Sequence, residues 1–345
     1  MIQIDGAQGS GSGTIVRFAT ALAAVLQRPV HFFNARAKRE KPGLRPQHLA
    51  GVRACAELCG AHTEGVAIGS QDFTFVPGRR IRGGTFAWDI GTAGSATMFA
   101  LGILPVACFA EAPVTARITG GVFQDFAPSP HHMQHVLVPL LARMGADVEL
   151  RVLRAGYVPK GGGVIELQVR PVRRPLTPLV LLQQGAAQAV SGIALSSHLD
   201  ERQVSERMAQ VCESRLSAAG LACRIERILD TSALHAGASL AVWAPTSTGC
   251  LLGADRAGAL RRSSEAIGRY VASTLLEDLA AGATVDRHAA DQLVLFATLA
   301  RGTTRYVAPA VTDHLETNLW LARQFGATAN CEQRQVAVDG LGVRR

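Results

Sequence analysis

The sequence predicts an α/β protein, with α+β segregation in places, built from three repeated α/β units and a small α/β domain inserted in the third. Three helix endings carry this reading: Cys59-Gly60-Ala61-His62-Thr63-Glu64, Gly145-Ala146-Asp147-Val148-Glu149 and Phe325-Gly326-Ala327-Thr328. Each reads as an amphipathic helix, a glycine cap and a strand. From Gly60 to Gly145 is 85 residues, and from Gly145 to Gly326 is 181. That is one period, then one period plus the length of a small domain. The basic, proline-marked stretch Pro171-Val172-Arg173-Arg174-Pro175 reads as a boundary ahead of the insert. The expected division is a large domain over residues 1–181 and 276–345 and an inserted domain over residues 182–275.

In chain order, Ile2 and Ile4 alternate with polar neighbours as a short strand does. The loop Gly6-Ala7-Gln8-Gly9-Ser10-Gly11-Ser12-Gly13-Thr14 then feeds a helix with Ile15, Phe18, Leu22, Val25 and Leu26 on one face. Such a loop offers backbone N–H groups to a phosphate, although no Gly-Lys-Ser/Thr follows to make it a Walker A loop. A second-unit helix carries Met133, Val136, Leu137, Leu140, Leu141 and Met144. Ahead of the insert, Lys160-Gly161-Gly162-Gly163 leads into an alternating strand through Ile165, Leu167 and Val169. Inside it, strands are expected over 191–196, 223–228 and 240–243, with a helix through Arg207 to Ala218. Beyond it, one helix is closed by Gly282, and another, through Asp291 to Phe296, is expected to end at Gly302.

Hydrophobic residues make up 48% of the 345-residue chain and charged residues 18%, as in a water-soluble globular protein. No apolar run is long enough to span a membrane, and the N-terminus has no signal-peptide pattern, so a cytoplasmic location is expected. The seven cysteines form no CxxC pair, which favours reduced thiols over a zinc site. The net charge of +8 points to an anionic partner. It is almost all arginine, since Lys38, Lys41 and Lys160 are the only lysines. His131, His132 and His135 cluster without a carboxylate or cysteine to complete a metal set.

The chemistry is expected at Val311-Thr312-Asp313-His314-Leu315-Glu316-Thr317-Asn318. Asp313 with Glu316 three residues on is a capping-box pattern, making Asp313 the expected N-cap and His314 the first helical residue. The positive helix end disfavours imidazolium there, and neutral imidazole is the form that attacks phosphorus.

The ordered motifs resemble the RNA 3′-terminal phosphate cyclases along nearly the whole chain. They are Asp5-Gly6 with the glycine loop, Lys41-Pro42-Gly43-Leu44-Arg45-Pro46-Gln47-His48-Leu49 and Gly91-Thr92-Ala93-Gly94-Ser95. Tyr157-Val158-Pro159-Lys160-Gly161-Gly162-Gly163, Thr246-Ser247-Thr248-Gly249-Cys250-Leu251, Asp291-Gln292-Leu293 and Val311-Thr312-Asp313-His314 follow. The resemblance implies three units related to the enolpyruvyl transferase fold. It also implies ATP-dependent conversion of an RNA 3′-phosphate to a 2′,3′-cyclic phosphate, through a histidine–AMP and an RNA-adenylate, with Mg²⁺ or Mn²⁺.

Carried over residue by residue, His314 is the nucleophile. His288, Ala289, Ala290, Asp291 and Gln292 receive the adenosine end of ATP, and Pro128 packs on adenine. Arg17, Arg36, Arg39 and Gln47 face phosphates or the RNA end. Three positions depart from the family: His288 replaces a tyrosine, Ser10 a glutamate that helps hold the metal, and Leu101 a glutamine that contacts ATP. The metal ligands are therefore left open, as is the oligomeric state. The alternative is a non-catalytic RNA-binding member of the same fold in ribonucleoprotein assembly. His314 speaks against it, and Ser10 and Leu101 speak for it. An enolpyruvyl transferase has no support in the motifs.

Overall fold

The computed structural model describes all 345 residues. The first unit runs β1 (Ile2–Asp5), α1 (Gly13–Leu26), β2 (Val30–Phe33), α2 (Pro46–Cys59), β3 (His62–Glu64) and β4 (Phe73–Val76). The second runs β5 (Gly84–Asp89), α3 (Ala96–Cys108), β6 (Val114–Gly120), α4 (Pro130–His132), a π turn (Met133–Leu137), α5 (Val138–Arg143), β7 (Asp147–Arg154) and β8 (Gly163–Arg170). The third opens with β9 (Val180–Leu181) and is then interrupted. The insert comprises β10 (Val190–Ser197), a 3₁₀ turn (Asp200–Arg202), α6 (Val204–Ala218), β11 (Cys223–Asp230), β12 (Gly237–Pro245), β13 (Leu251–Ala257) and α7 (Ser264–Ala280). The third unit resumes with α8 (Arg287–Leu299), β14 (Arg301–Val307), α9 (Asp313–Gln324), β15 (Thr328–Glu332) and β16 (Gln335–Leu341).

Pairing makes the repeat explicit. The sheets are ordered β1-β2-β4-β3, β5-β6-β8-β7 and β9-β14-β16-β15. In each, the first two strands are parallel and the remaining pairs antiparallel. The insert has its own order, β11-β10-β12-β13, with α6 and α7 packed on one another. The expected boundary at residue 275 falls inside α7. Leu275 is fully buried there, and the helix runs on to Ala280 before Gly282, at φ 69°, turns the chain.

The first helix of each unit lies inside the protein. α1 packs against α2, α3 and α9, so Ala19, Thr20 and Ala23 are buried along with the Ile15, Phe18 and Leu22 face. The one-faced helix expected there is instead buried nearly all round, as is α3. The π turn reflects Pro139, which lacks an N–H; the ladder there continues through the Val138 N–H donating to the Met133 carbonyl. Gly302 does not end a helix. It lies within β14, and α8 stops at Leu299.

The three cap glycines are left-handed, at φ 63° for Gly60, 95° for Gly145 and 93° for Gly326. A Cβ on Gly145 would meet nothing within 4 Å, so only backbone strain opposes a side chain there. Gly145→Ala is therefore expected to lose about 1 kcal/mol of stability. Gly51→Ala, inside α2 with the same empty surroundings, is expected to gain about 0.5–1 kcal/mol. Urea unfolding of the two variants checks the opposite signs.

Candidate active site

The N-terminal turns of α1, α2, α8 and α9 converge, each bringing a positive helix end and a side chain. The first and third units meet where α1 packs on α9, where Arg28 donates to the Phe325 carbonyl at 2.7 Å, and at the glycine loop. The Ser10 N–H donates to Thr317 Oγ1 at 2.9 Å, across 307 residues of sequence, and Thr317 in turn donates to the Asp313 carbonyl. Gly9, at φ 47°, lies so close that a Cβ would sit 2.3 Å from Thr317 Oγ1. Glycine is required there on both grounds.

α9 begins one residue earlier in its cap than expected. Thr312 is the N-cap, accepting from the Leu315 N–H at 3.1 Å, and Asp313 is already helical. The Asp313–Glu316 capping box does not form, because the Glu316 N–H it would use donates to the Thr312 carbonyl at 3.0 Å. His314 is thus the second helical residue. Its side chain reaches solvent at the rim of the cleft, and its pKa lies below the ordinary histidine value. The causes are desolvation first, then Arg39 and Arg17, with Asp313 opposing and His288 adding to the fall. The shift favours the neutral imidazole, through partial desolvation and the nearby arginines.

Arg17 projects from α1, donates to Thr14 Oγ1 at 3.1 Å, and has no partner for its buried Nε. Burial lowers its pKa to about 10, partly offset by Asp291. It stays charged, since that value is far above neutral pH. Arg36, at φ 57°, donates to the carbonyls of Lys41 and Gly43 at 2.8 and 2.7 Å, bracing the loop that carries it. Arg39 reaches the Ser10 carbonyl at 3.4 Å. None of these three, nor Arg45, pairs with a carboxylate, whereas Arg207, Arg227 and Arg262 all do.

Gln47 Oε1 accepts from the Ser95 N–H at 2.8 Å, which ties the first unit to the second and leaves Nε2 as the group available to an anion. His48 accepts from the Arg45 N–H at 3.3 Å. Burial, then Arg36, Arg17 and Arg45, push its pKa down to about 3, so it is neutral. Together with Arg17, Gln47, Met98 and Gly102, His48 lines a narrow cavity. Leu101 does not face it but is buried in α3. The Ser10 hydroxyl donates to Ser12 at 3.0 Å.

The opposite end of the cleft is formed by α8. Asp286 caps it, accepting from the N–H groups of His288 and Ala289 at 2.8 and 2.9 Å. Ala289 and Ala290 are buried, and both of their N–H groups bond to Asp286, so they serve as spacers. The Asp291 carboxyl is pushed up to about 7, by burial against the opposing Gln292 and Arg17. Gln292 donates to Asp291 at 2.8 Å and keeps a buried Oε1 without a partner. Pro128 is buried beside Ser129, whose N–H donates to Asp255 of the insert; Asp255 lies 3.7 Å from His288.

Three further residues belong to this end. His132 Nε2 lies 2.9 Å from Asp286, its ring meets His288 edge-on at 5.5 Å, and the Gly253 N–H donates to the same aspartate at 2.9 Å. Asp286 was legible as an N-cap before an apolar helical pattern. His132 and Asp255 carry no local signal, because each works through a neighbour far away in sequence. His135 stacks flat on Trp243 at 3.9 Å.

The buried His132–Asp286 pair has a pH signature. Burial alone would raise the Asp286 pKa, but His132 overrides it and holds the carboxyl down at about 2. Burial alone would lower the His132 pKa, but Asp286 overrides it and raises the value above 6.5. The aspartate's contribution is present above its ordinary 3.8 and lost as pH falls through about 2. The histidine's is present below 6.5 and lost as pH rises through its raised folded value. The difference in melting temperature between wild type and His132→Gln is expected to be largest between about pH 4 and 6.5 and to shrink above that window. Thermal scans across pH check this.

Fold and cleft together define a three-unit α/β protein whose histidine faces unpartnered arginines at converging helix ends. The sequence pattern described as RNA 3′-terminal phosphate cyclase matches residues 8–330. A Hyperthermus butylicus protein named RNA 3′-terminal phosphate cyclase is 39% identical over 338 residues, covering 96% of this chain and 93% of its own. Proteins of the same name from Ignicoccus hospitalis and Methylococcus capsulatus are 38% and 37% identical, each covering 94% of this chain and 92% and 91% of their own. A solved enolpyruvyl transferase, NikO from Streptomyces tendae, aligns at TM-score 0.40 and 13% identity over 96% of this chain and 48% of its own. The chain belongs to the RNA 3′-terminal phosphate cyclase family, a family of enzymes. No helix is long and apolar enough to cross a membrane.

Proposed function

We propose that this chain uses ATP to convert an RNA 3′-terminal phosphate into a 2′,3′-cyclic phosphodiester, with His314 as the nucleophile. The observation that carries the reading is a neutral imidazole at a helix start, with Arg17 and Arg39 close enough to depress its pKa and neither held by a carboxylate. In the first step an imidazole nitrogen forms a bond to the α-phosphorus and pyrophosphate departs. The RNA 3′-phosphate oxygen then attacks that phosphorus and histidine leaves. Finally the neighbouring 2′-hydroxyl attacks the RNA phosphorus, losing its proton to the medium, and AMP is expelled. Adenylation supplies the leaving group that a phosphate monoester lacks. Closure gains from the proximity of the hydroxyl.

Arg17, Arg36, Arg39 and Gln47 Nε2 are read as the groups that neutralise the phosphates, with bidentate arginine forks suited to the task. Pro128, His288, Asp291 and Gln292 are read as the adenosine end, with Ala289 and Ala290 setting the spacing. Residues 182–280 are read as a domain that brings Asp255 and Gly253 to this end. A divalent Mg²⁺ or Mn²⁺ ion fits only as a companion of the nucleotide phosphates, because no three His, Cys, Asp or Glu side chains converge to hold one. No step above depends on it. The non-catalytic RNA-binding alternative gives the arginines a task but leaves His314 without one.

ATP labelled at the α-phosphate is expected to label the protein, and His314→Ala is expected to abolish labelling and lower cyclisation by ~10³-fold or more. Strong labelling of that variant would sink the mechanism. The acid limb of self-adenylylation is expected below pH 6.5, since the His314 pKa is lowered from that value. Arg39→Gln removes a cation that disfavours imidazolium, so the limb is expected to move to higher pH. Initial rates of labelling across pH give the direction.

A further inference from the structure

The inserted domain sends one strand to the end of the cleft formed by α8. On β13, Gly253 and Asp255 are two residues apart and so point to the same face. Gly253 lets the strand come close, since a Cβ there would lie 2.7 Å from Val136 Cγ2 and 3.1 Å from His132 Cδ2. Its N–H reaches Asp286 at 2.9 Å, and Asp255 is thereby carried to the first turns of α4 and α8. One Asp255 oxygen accepts from the Ser129 N–H, beside Pro128. The other lies 3.7 Å from His288 Nε2.

Asp255 is a carboxylate with little access to water and no strong cation beside it. Its side chain is 6% exposed. No arginine or lysine pairs with it, because Arg256, the next residue, turns to Asp125 at 3.3 Å and lies over the Tyr270 ring at 4.4 Å. A buried carboxylate is costly unless paired, and the basic group that faces its second oxygen is His288. The His288 ring makes no hydrogen bond of its own. It meets the His132 ring edge-to-face at 5.5 Å, and its backbone N–H is fixed by Asp286 at 2.8 Å. At 3.7 Å the Asp255 contact is longer than a hydrogen bond, as contacts in active sites often are until substrate tightens them.

We propose that Asp255 of the inserted domain is a positioning residue for the nucleotide end of the site. It orients the His288 ring through Nε2 while holding the Ser129 backbone beside Pro128, an inference that rests on the cyclase reading. Pro128 and His288 belong to different units, and this one carboxylate reaches the neighbourhood of both. With Nε2–H directed at Asp255, the ring has one preferred rotation, which leaves a fixed face and Nδ1 for a base. The pairing is particular to histidine, since a phenyl ring of similar shape offers Asp255 no N–H. A purely structural Asp255 would act through Ser129 alone and would be indifferent to the ring carried by residue 288.

The test asks whether Asp255 acts through His288. The half-saturating ATP concentration and the maximal rate of self-labelling are measured for wild type, Asp255→Asn, His288→Phe and the double variant. The amide keeps an oxygen for the Ser129 N–H, so that contact survives. Asp255→Asn is expected to raise the half-saturating concentration about fivefold with the maximal rate within about twofold of wild type. In the His288→Phe background the same change is expected to have no further effect. An equal rise in both backgrounds, a fall in the maximal rate instead, or no change overturns the proposal. A second measurement uses wild type alone, apart from any loss of folding in Asp255→Asn. Long-range ¹⁵N–¹H spectra, with His288 assigned by its absence from His288→Phe, are expected to show a proton on Nε2 that is protected from exchange. A bare or freely exchanging Nε2 overturns the proposal. Absence of self-labelling in wild type would overturn the cyclase reading instead, and the nitrogen spectra would still decide whether Asp255 orients the ring.

Discussion

The site depends on one contact, the glycine loop resting on the first turns of α9. The Ser10 N–H meets Thr317 Oγ1, and Gly9 permits it by having no side chain where Thr317 passes. Three similar units can be joined in many relative orientations. Together with the packing of α1 on α9, this contact closes the first onto the third, so that Arg17 on α1 and His314 on α9 share one cleft. That closure is what brings Arg39 and Arg17, two of the three largest causes of the His314 shift, to the histidine.

The cleft is also electrostatically unfinished. Most buried charges in proteins are paired, because desolvation of an isolated ion is expensive. Here Arg17 keeps a buried Nε without a partner, and Arg36 keeps another. The same cations that hold His314 and His48 neutral would be satisfied by phosphate oxygens. Arg227 is the opposite case, since it bonds both Glu206 and Glu213. The difference at Arg17 and Arg36 is burial of Nε without a partner, which surface arginines do not share.

Besides its apolar packing, the insert is bound into the site through a polar node. Asp286 accepts from His132 of the second unit, Gly253 of the insert and the first turn of α8. One carboxylate thereby fixes three parts of the chain at once. Buried networks of this kind hold geometry when fully satisfied and are damaging when partly broken. His288, which stands over it, inherits its orientation from that arrangement.

Much of this was legible in the chain itself. The period from Gly60 to Gly145, the longer step to Gly326 and the proline-marked boundary near residue 173 come from backbone conformations and side-chain alternation, which are short-range properties. The ordered motifs likewise pointed to His314, Arg17 and the segment from His288 to Gln292, and to the family. Tertiary structure decided the rest. It moved the α9 cap from Asp313 to Thr312, because a hydroxyl one residue earlier takes the N3 donor. It buried α1 and Leu101 on sides that periodicity left open. It made burial and nearby arginines, more than the helix end alone, the cause of the lowered His314 pKa. It also placed His132 and Asp255 beside a cleft assembled from segments more than a hundred residues apart. Such convergence depends on how units pack, and packing leaves no local mark on any one of the segments it joins.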